Sequence, residues 1–194
     1  MRKIILLCLL FCLTPFVLLA QKTEDVLGVE TVEFNGMTFE LGWSQHNNTH
    51  FMQEYFPKGQ TPESFVDMFT VYVLAGIQAT PKQAVDAKET ELTKRKGKDV
   101  FNWQRYNNDD GTEHMIDFLC YAGDEEGLDL VEFDVHRYSA FEFDGRPSLL
   151  LVFYTHRVNG DDIMPFLEKE FKDFRQKAVL ELTKFDVKCE RKNE

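Results

Sequence analysis

The chain has 194 residues, with 22 Lys and Arg against 33 Asp and Glu and a formal net charge of −11. With 43% hydrophobic residues it holds enough apolar side chain for one full core, and its acidity repels phosphate, which weighs against nucleic acid and anionic membrane faces as partners. The one local basic cluster, Lys94 to Lys98, suits the solvated end of a helix stopped by Gly97.

The chain opens with Arg2 and Lys3, an apolar run from Ile4 broken by Pro15, and Ala20 just before polar residues. This pattern predicts a secretory signal peptide over residues 1–20, although Leu18 stands where a small residue is usual. Cleavage after Ala20 leaves 20 basic residues against 33 acidic, a net −13, with no stable membrane anchor, and places the mature chain outside the cell or in a periplasm. A leader then covers 21–32, one domain 33–187 and a charged, frayed tail 188–194.

Asn35-Gly36 between alternating segments predicts a hairpin with a two-residue turn. A third strand follows, with Phe51, Gln53 and Tyr55 on one side and His50, Met52, Glu54 and Phe56 on the other. His46 and His50 have the four-residue spacing of a helical metal pair. Here they flank a turn running into a strand, where about 13 Å of extended chain would separate their backbones, so no metal is expected. Asn47-Asn48-Thr49 is also a formal glycosylation acceptor.

Thr61 as cap, Pro62 behind it, and Phe65, Met68, Phe69 and Tyr72 at helical spacing predict a first helix. Thr80, Pro81 and Gly97 bound a second, with Ala84, Val85, Ala87 and Leu92 as its apolar side. From residue 99 the period becomes two, with strands separated by turn-rich stretches and therefore antiparallel. The last of them, Leu149–Tyr154, is apolar on both sides, as a central strand is. A closing helix capped by Asp161 or Asp162 carries Ile163, Phe166, Leu167, Phe171, Phe174 and Ala178 as its buried seam.

The expected class is α+β: an antiparallel sheet, two consecutive helices after the N-terminal strands and a C-terminal helix. The stretches QEYFPKGQTPESFVDMFTV and MIDFLCYAGDEEGLDLVEFDVHRY carry a resemblance to exported bacterial proteins of the Mog1/PsbP-like α/β/α sandwich. The resemblance implies adaptor or accessory roles, such as binding a partner protein, and assigns no catalytic residue.

No nucleophile elbow, zinc-binding HExxH, P-loop or dinucleotide fingerprint occurs, and no cofactor is expected. The acidic turns at 107–111 and 123–127 lack the twelve-residue loop of a calcium site. Candidate chemistry reduces to strand-borne polar residues. Glu132, Asp134 and His136 point the same way along one strand, and Asp117 and His156 could be their cross-strand neighbours. Carboxylate beside imidazole would orient a general base for a hydrolase or a metal-dependent enzyme, although no nucleophile accompanies it. The blander reading is a set of cross-strand ion pairs. In the exported chain Cys120, on a core strand, and Cys189, in the tail, could form a disulfide; the alternative is one buried inert thiol and one tail thiol. The leading expectation is a non-enzymatic domain that binds another protein or a small ligand through an aromatic-rich surface; assembly with further copies of itself stays open.

Overall fold

The computed structural model describes residues 23–125 and 127–192. In chain order the elements are β1 (Thr31–Phe34), β2 (Met37–His46), β3 (His50–Pro57), β4 (Asp67–Ala75), α1 (Pro81–Arg95), β5 (Val100–Asn107), β6 (Glu113–Asp124), β7 (Gly127–Phe143) and β8 (Arg146–Asn159). A helical run then starts with the turns Gly160–Asp162, Ile163–Pro165 and Phe166–Glu170 and continues as α2 (Phe171–Lys184).

The eight strands form one antiparallel sheet in the order β1-β2-β3-β4-β8-β7-β6-β5. Two meanders lie side by side, joined where β4 pairs with β8. Helix α1 carries the chain from β4 to the far edge, so the second meander returns to the middle. This corrects the expected α/β/α sandwich, because no pair of consecutive helices follows the N-terminal strands.

The segment read as the first helix is a turn followed by β4. Thr61 does start a turn, closed by Ser64 N–H donating to the Thr61 carbonyl at 3.0 Å and by the Thr61 hydroxyl donating to Glu63 at 2.9 Å. The run Asp67–Ala75 is rich in β-branched and aromatic residues and is apolar on both sides. Such a run satisfies helical spacing by accident and fits a strand buried on both faces.

The other expected elements form. Asn35 and Gly36, at φ 55° and 81°, make the primed turn that joins β1 to β2, and Asp144-Gly145 repeats it between β7 and β8. Thr80 caps α1 in a reciprocal capping box with Gln83 behind Pro81. The run before α2 departs from the expectation at its start, since neither Asp161 nor Asp162 makes a side-chain cap. Its Phe166–Glu170 turn is π-wound, and this extra residue turns Phe166 and Phe171 toward each other, 5.7 Å between ring centres.

Each sheet face has its own core. On the back, α2 and the run before it, with Ile163, Ala178 and Leu182, cover Phe69, Val71, Val131, Phe133, Val135, Val152 and Tyr154. On the front, α1 sets Val85 and Leu92 over Val100, Ile116, Phe118, Cys120, Tyr138, Leu149 and Leu151. A satellite cluster of Phe56, Phe65, Met68 and Trp43 lies under the β3–β4 loop. Gly42, at the β2 bulge, leaves room for Phe56, whose ring would lie 2.5 Å from a Cβ there.

At both ends of the described residues the chain is tied to the domain. Val26, Leu27 and Val29 are buried, Glu190 N–H donates to the Leu27 carbonyl at 2.9 Å, and Lys192 pairs with Asp25 at 2.6 Å. Cys189 joins the back core and Cys120 the front core, so the sheet itself separates the two thiols and they form no disulfide. The expected signal peptide, residues 1–20, lies outside the described residues.

Candidate functional site

Directly paired residues in antiparallel strands share a face, so the register decides which polar side chains can meet. Asp134 pairs with Phe118 on β6 and Thr155 on β8; Asp117 pairs with Val135 and His156 with Phe133. Glu132, Asp134 and His136 therefore lie together on the front, as expected, whereas Asp117 and His156 lie on the back. The five residues do not converge.

Each member has a local role. On the back, Asp117 takes Arg175 Nε at 2.8 Å, Arg175 Nη2 at 2.6 Å and the Tyr106 hydroxyl at 2.7 Å. His156 Nδ1 meets Asp67 Oδ1 at 2.8 Å, and the Tyr154 hydroxyl donates to the same oxygen at 2.7 Å. The His156 ring packs against Phe174 and Phe166, with centroids 4.5 and 5.5 Å away. On the front, Arg157 donates to Glu132 at 2.7 Å and the Thr155 hydroxyl to Asp134 at 2.7 Å. His136 stacks on Phe153 at 3.8 Å, and burial holds its pKa well below the usual imidazole value.

The metal question at the hairpin tip has a geometric answer. His46 stacks on Phe51 toward the back and His50 contacts the Tyr72 hydroxyl on the front, so the imidazoles face opposite ways. Asn47 Oδ1 accepts from the backbone of Thr49 and His50, both at 2.9 Å, which fixes the turn. Among the described residues no group of three metal-ligating side chains assembles.

The residue that pattern reading passed over is Glu54. It occupies a row running Glu54–Thr70–Phe153–His136–Ile116 across β3, β4, β8, β7 and β6. Helix α1 covers the β5–β7 end of that row, and Glu54 stands at the other. Around it Trp43, Met52, Tyr72, Leu74 and Phe153 are partly exposed, so this half of the front face carries no helix and presents aromatic and thioether groups to solvent. Glu54 itself is 8% exposed, and no described residue donates a hydrogen bond to its carboxyl group. The opposite charge that acts on it, Arg157, is already committed to Glu132 and lies over the Phe65 ring at 3.7 Å. A signal for it did exist, as the lone carboxylate on the Met52-Glu54-Phe56 side of a strand.

Burial raises the Glu54 pKa from 4.5 to about 7, with Arg157 pulling the other way. The folded state therefore prefers the neutral acid. Its contribution to stability is fully present below pH 4.5 and is lost as pH rises through about 7. From this group alone wild type is expected to lose about 2–3 kcal/mol between pH 5 and 8. Glu54→Gln should flatten that part of the profile, and urea unfolding at the two pH values checks it. Equal slopes in both proteins would remove the raised carboxyl.

Together these features define an α+β domain built on one antiparallel sheet, with α2 across the back and α1 over the β5–β7 half of the front. The chain belongs to an uncharacterised protein family, whose model matches residues 27–187. No curated protein matches the chain.

Proposed function

We propose that this chain is an exported, non-enzymatic binding domain whose partner-binding surface is the open half of the front face. The observation that carries the reading is Glu54, a carboxyl group nine-tenths buried that receives no hydrogen bond from the described residues, within a partly exposed rim of Trp43, Met52, Tyr72 and Phe153. The oxygens of Glu54 are not among the fully buried unpartnered atoms, so the recessed carboxyl is open to a donor arriving from outside. Export rests on Arg2, Lys3, the apolar run and Ala20. A hydrolase using Asp117, Glu132, Asp134, His136 and His156 would need them around one substrate, and sheet parity divides them between two faces.

A photo-crosslinking amino acid placed at position 72 or 153, with position 172 on α2 as control, tests the surface in the producing cell. One defined adduct from the two front positions and none from the control is expected. Labelling that is equal at all three, or absent from both front positions, would overturn the surface. The intact mass of the exported chain tests the address, with Gln21 as the expected first residue.

A further inference from the structure

We infer that the partner on the open front face is basic, and that it seats a lysine side chain against Glu54. This rests on the binding reading above and adds the chemistry of the partner. Arg157 stands near two carboxylates, Glu132 and Glu54, and gives its hydrogen bond to Glu132 at 2.7 Å. It holds its guanidinium plane over Phe65, leaving Glu54 without a hydrogen-bonded cation on this face. Arg157 cannot turn to Glu54 without leaving the buried carboxylate of Glu132, which is 5% exposed, uncompensated. A second cation from outside completes the arrangement.

Shape restricts which cation fits. The approach to Glu54 passes Trp43, Met52, Tyr72 and Phe153, all partly exposed. A lysine reaches a recessed carboxylate by laying its four-carbon stem along such groups, whereas a flat guanidinium needs a broader opening. The surface is an open sheet face, which suits a protein partner over an enclosed small molecule, since small ligands are mostly buried on all sides. The acidic chain, at −11 overall, steers a basic partner inward.

The test uses the ¹⁵N-labelled chain from Gln21 onward, titrated with a blocked Leu–Lys–Leu peptide and with its Leu–Gln–Leu counterpart. The lysine peptide should shift amide signals of β3, β4 and β8 and bind about ten-fold more tightly than the glutamine peptide. Glu54→Gln should erase that preference while leaving the spectrum folded. A pH series on wild type gives a second reading that needs no variant: the preference should fade as pH falls from 8 to 5.5 and the acid is protonated. Arg157 on β8, Glu132, Asp134 and His136 on β7, His50 on β3, Tyr72 on β4, and Lys88 and Glu91 on α1 share this face, so the fading must vanish in Glu54→Gln to belong to Glu54.

Equal binding of both peptides at the front face would overturn the lysine inference and leave the surface reading standing. A preference that survives in Glu54→Gln, or shifts confined to other faces, would also overturn it. The crosslinks from positions 72 and 153 decide the surface reading separately.

Discussion

Arg175→Ala is expected to destabilise the protein by about 3 kcal/mol, the lower end of the range for removing one partner of a buried ion pair. Asp117 is 1% exposed in side chain and receives two guanidinium bonds, at 2.8 and 2.6 Å, and the Tyr106 hydroxyl at 2.7 Å. After truncation only the phenol remains, and the carboxylate is stranded in the back core beside Val135 and Met115. The Arg175 side chain is 24% exposed, so water entering its place softens the loss. Asp117→Asn removes the charge and keeps the phenol contact, and should cost less. In the double variant the two effects should fall short of their sum by 1 kcal/mol or more, at the level of coupled pairs, as the margin of about 0.5–3 for neighbours implies. Urea unfolding at pH 7 measures all four proteins. A loss under about 1 kcal/mol for Arg175→Ala would place the pair with surface salt bridges.

This ion pair also shows how far a sequence reaches. Asp117 was legible as an unusual acid in an apolar strand, but its partner comes from α2, 58 residues further on, and no periodicity carries that contact. The same limit governs the strand-borne candidates. Glu132, Asp134 and His136 share a face because they are two apart on one strand, which any reader of alternation can see. Whether Asp117 and His156 join them depends on register, and a shift of one residue inverts the answer. Asn35-Gly36 and the Thr80 cap with Pro81 behind it are legible because their chemistry is local, whereas Asp161 and Asp162 offer the same cap signal and make no side-chain cap. Residues 67–75 were not, because a strand with apolar groups on both sides leaves no alternation to detect, and Phe65, Met68, Phe69 and Tyr72 then mimic a helix. Cys189 looked like tail because the charged residues around it are exposed. Its burial depends on Leu27, far away in sequence.

Gln53→Leu should release residues 26–29 and, with them, the C-terminal segment. Gln53 is fully buried and uses every hydrogen-bonding position it has, three of its four bonds going to the segment 26–29 beside it. Its Oε1 accepts from Val26 and Leu27 N–H, both at 2.7 Å, and its Nε2 donates to the Val29 carbonyl at 3.1 Å and the Tyr55 hydroxyl at 2.8 Å. Leucine fills similar space and satisfies none of these groups. Two buried N–H donors lose their partner, for an expected cost of about 3–5 kcal/mol, which is met by opening the segment locally before the sheet unfolds. Leu27 would then leave the core, and its carbonyl would release Glu190 N–H. Cys189 would come into solvent, where its thiol, pushed up to about 12 mainly by burial, falls back toward an ordinary value and becomes reactive. Alkylation by iodoacetamide provides the measurement, with Cys120 in the front core as internal reference. Cys189 modification should accelerate by about 100-fold, the population effect of losing near 3 kcal/mol, while Cys120 stays protected. Equal acceleration at both thiols would mean that the domain opens as one unit, and no acceleration at either would mean that Gln53 does not hold the ends together.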